Sequence, residues 1–284
     1  MRFAVMLVAS TMVTFVSAAP RPHIVSFLVD DLGRYDTSVF NPTLKAETPA
    51  IDQLARSGIV LDRFYVYMYC SPTRRSMLSG RFPTSINANQ AGPCSNYLPR
   101  QMTWISDKLK QSTDVHGNAT NSSYMNHFVG KGHLGYPTTD HLPINRGYDS
   151  HVGYLGGAEQ YYQATMNSHD MWANHTPGAA IVPEIHYSTN YYSRVAVDII
   201  HQHDTRRPLF LDLRYQGVHG PYEEPPLFEQ VRNTSSNNQL CGPTYTCQIM
   251  QSMVRAVDSG IANVTAALKA RGMYDNTLIL FSGE

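Results

Sequence analysis

His23-Ile24-Val25-Ser26-Phe27-Leu28-Val29, followed at once by Asp30-Asp31-Leu32-Gly33, decides the fold class. A near-continuous apolar run with β-branched and aromatic members has no polar face to offer water, so it reads as a strand buried on both sides. Strands of that kind belong to parallel sheets covered by helices. In open α/β sheets, ligand-binding groups gather at the carboxyl ends of the strands. Asp30-Asp31 stands at such an end. Two adjacent carboxylates repel each other unless something neutralises them. A hard cation with oxygen ligands does so, and a solvated turn or helix cap is the other reading.

Outward from this run, strand-type stretches alternate with helical patterns. Further strands are predicted at 59–67, 124–129, 209–215 and 277–281. Thr48-Pro49 opens a helix as N-cap and first-turn proline; it runs through Ile51, Leu54 and Ala55 and stops at Gly58. Short helices are predicted at 72–78, closed by Gly80, and at 103–109. Tyr192, Val195, Ala196, Ile199 and Ile200 have amphipathic spacing, and a longer helix carries Met250, Met253, Val254, Val257, Ile261, Val264 and Leu268. The expected class is α/β, a mostly parallel sheet flanked by helices. Asp30-Asp31, Cys70, Lys131/His133 and His219 then all lie near carboxyl ends of strands.

The 284 residues suffice for one large α/β domain or two small ones. Lys+Arg and Asp+Glu are both 22, so there is no basic surplus for a phosphate backbone, and nucleic acid is excluded as a partner. Hydrophobic residues at 42% exclude disorder. Residues 1–18 have a short positive start at Arg2, an apolar run and the small residues Val16-Ser17-Ala18. That is the pattern of a secretory signal peptide, leaving 19–284 as the domain. No later run is long enough to span a membrane. The N-x-[ST] sequons at Asn118, Asn121, Asn174, Asn233 and Asn263 fit a lumenal glycoprotein.

Cys70-Ser71-Pro72-Thr73-Arg74 carries the most specific signal. A cysteine at the start of a helix, with Arg74 one turn on, sits at a positive dipole end, which is expected to lower its thiol pKa and to suit an anionic substrate. A core cysteine and a disulfide are the other readings. The stretch C-x-P-x-R, continuing as Arg75-Ser76-Met77-Leu78-Ser79-Gly80-Arg81, resembles the signature of type I sulfatases. Asp30-Asp31-Leu32-Gly33 resembles that family's calcium ligands. Val129-Gly130-Lys131-Gly132-His133-Leu134-Gly135 resembles its second signature, and Gln216-Gly217-Val218-His219-Gly220-Pro221 its later histidine motif. Arg146-Gly147-Tyr148-Asp149, Gly153-Tyr154-Leu155-Gly156, Glu159-Gln160-Tyr161-Tyr162 and 263–269 are most similar to the arylsulfatase B branch.

The resemblance implies an alkaline-phosphatase-like sulfatase core and a sulfuric ester hydrolase acting on a sulfated, glycosaminoglycan-type carbohydrate or an aryl sulfate. It implies formylglycine made from Cys70 by the formylglycine-generating enzyme, Ca2+ held by Asp30, Asp31, the modified Cys70 and Glu284, and a lysosomal or extracellular location. It further implies Arg74 holding the nucleophile, Lys131 neutralising sulfate oxygens, His133 assisting product release, and His219 binding substrate and protonating the leaving oxygen. Lys131 is expected to be surface-accessible.

Departures are equally plain. Glu284 falls where the family has the aspartate of an Asp-Asn-Gly turn, Gly132 replaces an aromatic and Arg34 stands where relatives have Trp. The sequence therefore reads as a sulfatase core cut short, its C-terminal subdomain absent, with little or no activity expected of the 284 residues alone. The competing reading is a non-catalytic sulfatase-like protein that keeps an anion-binding pocket. A phosphohydrolase of the same fold is a third, opposed by Cys70 in place of Ser or Thr. Of the four cysteines, Cys241 and Cys247 flank a Gly-Pro turn and can pair, Cys70 is committed to the site, and Cys94 is left over.

Overall fold

The computed structural model describes residues 21–42, 48–86, 97–111, 123–163, 170–177, 186–229 and 245–284. Strand β1, His23–Val29, is followed by helix α1, Pro49–Ser57, and helix α2, Cys70–Ser79. Then come α3, Ile105–Lys110; β2, Met125–Gly130; β3, Ser150–Tyr154; β4, Met171–Ala173; and β5, Thr176–Pro177. The last four elements are α4, Ser188–Gln202; β6, Leu209–Tyr215; α5, Tyr245–Ala270; and β7, Thr277–Gly283. The strands form one sheet in the order β5-β4-β3-β2-β6-β1-β7. From β3 to β7 all neighbours are parallel, and β4 and β5 extend the sheet antiparallel. The predicted mostly parallel architecture is therefore what forms.

Strand β6 shows why two helical layers are needed. Leu209, Leu211, Leu213 and Tyr215 point into the larger core with Ala196 and Ile200 of α4 and Val257, Ile261, Val264 and Leu268 of α5. Phe210 points the other way, into a smaller cluster with Leu78, Trp104, Phe128 and Tyr148. Each fully buried side chain of this kind is worth about 1.5–3 kcal/mol. The long-spaced apolar positions 250–268 thus make α5 a core helix.

Helix α1 begins where predicted, with Thr48 as N-cap and Pro49 in the first turn. The Thr48 hydroxyl does not cap it, being engaged with Ser38 and Asp52. The free amides of Ala50 and Ile51 instead donate to the carboxylate of buried Asp258, on α5, at 3.0 and 2.9 Å. A residue 208 positions away does the capping, which also pins α1 to α5.

The expected strand at 59–67 does not form. That segment runs without a ladder partner, with Ile59 90%, Leu61 63% and Tyr65 84% exposed. Strand propensity is a preference for a pleated, half-buried surface, and without a neighbour to pair with it is not realised. Strands β3, β4 and β5 went unpredicted, being short and broken by Gly153, Asn174 and Pro177. Helix α2 starts at Cys70, earlier than expected, and α4 and α5 each extend beyond their apolar periods. Cys247 is in a disulfide, and Cys70 is free. Cys94, Cys241, residues 1–18 and the sequons at Asn118, Asn121 and Asn233 lie outside the described residues. Among the described residues no helix is long and apolar enough to cross a membrane.

Candidate active site

Sheet register brings the chemistry together. Val29 lies opposite Tyr215 and Gly283, and Gly130 opposite Arg214, so β1, β2, β6 and β7 end at nearly the same level. The next residues along are Asp30, Lys131, Gln216 and Glu284. Pairing continues past the strand ends, with Asp30 N donating to Gly217 O at 3.0 Å, Lys131 N to Arg214 O at 2.9 Å and Glu284 N to Val29 O at 3.2 Å. These bonds fix where the side chains start. At Gly130, φ is +100° and a Cβ would sit 1.9 Å from Arg214 O, so only glycine lets β2 turn here.

Helix α2 delivers the remaining groups from its first turns. Cys70 Sγ lies 3.0 Å from His133 Nδ1. Arg74 donates through Nη1 to Lys131 O at 2.7 Å, through Nε to Glu284 Oε1 at 2.6 Å and through Nη2 to Asp30 Oδ1 at 3.3 Å. Lys131 Nζ donates to Asp30 Oδ2. Asp30, Arg74 and Lys131 are all 0% exposed. This corrects the expectation of a surface-accessible Lys131: the ammonium is enclosed because it neutralises a buried carboxylate. Asp31 and His133 both adopt φ +54°, a left-handed backbone that non-glycine residues take up at some cost and that concentrates at functional sites. Gly157 makes room for the imidazole of His133, since a Cβ there would come within 2.8 Å of Cε1.

His219 sits on the rim. Its Nδ1 donates to Gly220 O at 2.6 Å, which leaves Nε2 facing outward, 3.8 Å from Asp31 Oδ2. The Asp31 side chain is 53% exposed, so it stands apart from the buried set. Tyr161 Oη donates toward His219 O at 2.8 Å and lies 3.2 Å from Gln216 O, holding the loop that carries His219. The Gln216 side chain accepts from Ser188 Oγ at 3.0 Å and donates to Glu159 O. Thus Asp30, Cys70, Arg74, Lys131, His133 and Glu284 come together, with Asp31 and His219 flanking them. Tyr161, Gln216 and Gly157 are supporting residues that the motifs contained or adjoined without assigning them a task.

With that geometry in place, the comparisons are informative. The family model described as Sulfatase matches residues 22–284. The chain belongs to the sulfatase family. It is 31% identical to arylsulfatase J of Mus musculus, over 93% of this chain and 42% of that protein. It is 25% identical to N-acetylgalactosamine-6-sulfatase of Homo sapiens, over 94% of this chain and 51% of that protein. A solved structure, Ps i-CgsB in complex with k-i-k-neocarrahexaose, superposes with a TM-score of 0.75 at 27% identity, covering 93% of this chain and 58% of that one. The chain spans about half the length of the curated relatives it matches. By ancestry this chain carries the sulfatase core, with its alkaline-phosphatase-like fold.

The electrostatics of the sulfatase cluster follow from burial and pairing. Burial alone would raise the Asp30 carboxyl, but Lys131 and Arg74 hold it well below the usual range. Burial, with Asp30 beside it, pushes Glu284 up to about 8 against the pull of Arg74. Burial, reinforced by Lys131 and Arg74, drives His133 down to about 3. Burial also pushes the Cys70 thiol up, with Lys131 and Arg74 opposing. The expected low thiol pKa is therefore overturned: both cations are spent on carboxylates, and desolvation disfavours the thiolate.

Among the described residues no three histidine, cysteine, aspartate or glutamate side chains form a ready ligand cluster. The donor chemistry nonetheless fits a hard cation. Asp30 and Glu284 both pair with Arg74, and Glu284 Oε2 is buried without a hydrogen-bond partner. Two adjoining carboxyl groups with an orphaned oxygen are what a calcium ion satisfies.

Proposed function

We propose that this chain carries the sulfate-ester-cleaving centre of a sulfatase, working on a sulfated carbohydrate. The observation that supports it most is the contact between Cys70 Sγ and His133 Nδ1 within the enclosure of Arg74, Lys131, Asp30 and Glu284. Oxidation of Cys70 to formylglycine, in its hydrated form, would supply a hydroxyl nucleophile for sulfur. Calcium, held by Asp30 and Glu284 with Asp31 and the modified Cys70 alongside, would polarise the sulfate oxygens.

The chain's own residues do the rest. His133 is neutral and 3.0 Å from the reacting side chain, so its ring nitrogen can accept a proton from it. Arg74 and Lys131 provide fixed positive charge where charge accumulates on the transferring group, and such preorganised groups are typically worth 10²–10³ each in rate. His219 in its imidazolium form, with Nδ1–H on Gly220 O and Asp31 Oδ2 3.8 Å away, would present Nε2–H to the departing oxygen.

The substrate class rests on the relatives, among them the complex with an oligosaccharide. Residues 1–18 act as the secretion leader and 19–284 as the domain. Maturation by the formylglycine-generating enzyme and glycosylation take place in the secretory pathway, on the way to the lysosome or the exterior. A second reading is a non-catalytic sulfatase-like chain: Asp30 and Glu284 are already paired with Lys131 and Arg74, which leaves the cluster charge-balanced without a metal.

The deciding experiment is production in a secretory host, mass spectrometry of the Cys70 peptide and an aryl sulfate assay with calcium. Aldehyde at Cys70, and turnover lost in Cys70→Ala, support the catalytic reading. An intact thiol without turnover favours the non-catalytic chain.

A further inference from the structure

Asp30, Arg74 and Lys131 have no surface on solvent, so a sugar that bears a sulfate must lie outside their enclosure. His219, on the reading above, faces the oxygen that leaves with the sugar. The residues that follow His219 on the same loop are then among the first that the sugar meets. They form an open groove of about 530 Å³ with Tyr162, lined by Glu223, Glu224, Pro225, Pro226 and Glu229, and none of its lining residues is a cation. The volume lies within the range of small-molecule sites.

The groove is tied to the site by short bonds. Tyr161 N donates to Glu223 Oε2 at 2.8 Å, while Tyr161 Oη reaches His219 O at 2.8 Å. Tyr162 Oη donates to Glu224 O at 2.6 Å, which leaves the Glu224 carboxylate with no protein partner of its own. Glu223 likewise keeps Oε1. Carboxylate oxygens accept hydrogen bonds and donate none. The hydroxyl and amide groups of a sugar suit them, whereas a uronate or a second sulfate meets like charge. Tyr162 and Tyr222 expose 41% and 48% of their surface, offering apolar ring faces against which the C–H face of a pyranose can pack. On the other flank of His219, Asp31 is exposed, and Arg34 beyond it is committed to Asp62 and to the ring of Phe40.

We propose that this groove is the subsite for the sugar beyond the sulfate, and that its carboxylates admit uncharged rings and turn away saccharides with a second anionic group. The inference rests on the sulfated-carbohydrate reading and names, within it, the substrate class: a singly sulfated, otherwise neutral saccharide. Discrimination of this kind comes from the repulsive element as much as from the attractive one.

The test is calorimetric titration of the 284-residue chain, with calcium present, against three kinds of probe. These are methyl sulfate, which has no sugar; neutral disaccharides with one sulfate at each position in turn; and the same esters with a uronic acid as the unsulfated ring. A neutral ester should bind more tightly than methyl sulfate, and at least about tenfold more tightly than its uronic acid counterpart, since like charges in apposition are costly. Glu224→Gln should narrow that preference, and Tyr222→Ser should weaken the neutral ester. The comparison on the unaltered chain stands alone if either variant does not fold. Uronic acid esters bound as tightly as neutral ones, or neutral esters bound no better than methyl sulfate, overturn the subsite and leave the sulfatase reading intact. Binding of no ester at all overturns that reading and the subsite with it. An undiminished preference in Glu224→Gln overturns the assignment to this groove.

Discussion

Removing Lys131 takes the partner from a carboxylate that has no water to turn to. Lys131→Met should therefore cost about 3–5 kcal/mol in urea unfolding at neutral pH, the usual penalty for leaving a buried charge half-compensated. The pair Asp30→Asn, Lys131→Met should recover much of it, since no bare charge then remains; a double variant no more stable than the single one would show that packing of the lysine stem matters instead. Glu159 gives a pH prediction. Burial, with Asp170 nearby, pushes its carboxyl up to about 9. A carboxyl raised above its unfolded value of about 4.3 must take up a proton to stay folded, so its contribution is intact in acid and is lost as pH rises toward 9. Glu159→Gln should flatten the pH dependence of stability between pH 5 and 9 by one proton's worth, about 1.4 kcal/mol per pH unit. Unchanged slopes in the two proteins would place an ionised Glu159 in the fold.

At the scale of elements, the cap of α1 is the most exposed to test. Asp258→Ala removes the acceptor for Ala50 N and Ile51 N, and helix caps are worth about 0.5–2 kcal/mol. The loss should appear as a lowered unfolding midpoint and as faster amide exchange at the start of α1; a change confined to α5 would mean that Asp258 serves its own helix. That cap also illustrates what a linear sequence does not display. Thr48-Pro49 announces the helix, but Asp258 lies on another element and carries no local mark of the task. The same holds for Tyr161, whose bond to His219 O spans 58 residues, and for Gln216, whose bond to Glu159 O spans 57. By contrast β1, β6 and α5 were legible, because burial on both faces or along one stripe imposes a period on the residues themselves. The failure at 59–67 has the same logic reversed: strand composition promises a partner that the described sheet does not provide.

For the molecule as a whole, the gathering of Asp30, Cys70, Arg74, Lys131, His133 and Glu284 was readable from the resemblance of the motifs to the sulfatase signatures and from the places of several of them at strand ends. Their state of charge was not, because it depends on how many of them share one dry enclosure. The outer surface has its own consequence. With zero formal net charge, Ile59, Leu61, Tyr65 and Met68 exposed, and Leu278 and Leu280 half exposed on edge strand β7, self-association near neutral pH is expected. Leu280→Lys together with Met68→Lys should reduce light scattering at fixed concentration and leave the circular dichroism spectrum unchanged. Persistent scattering in that variant would locate the sticky surface elsewhere.

The position of β1 matters again during synthesis. It is made well before its two neighbours, β6 and β7; the bond from Leu209 N to His23 Nδ1 spans 186 residues. At about 5–20 residues per second, the ribosome needs roughly 10–40 s to cover that distance. Throughout that interval the floor of the future cluster is missing, and Cys70 is still on an open chain. Once the late strands dock, the thiol is buried. On the proposed maturation, an enzyme oxidising Cys70 would meet it as a nascent segment, and the sheet's strand order would set the duration of its opportunity.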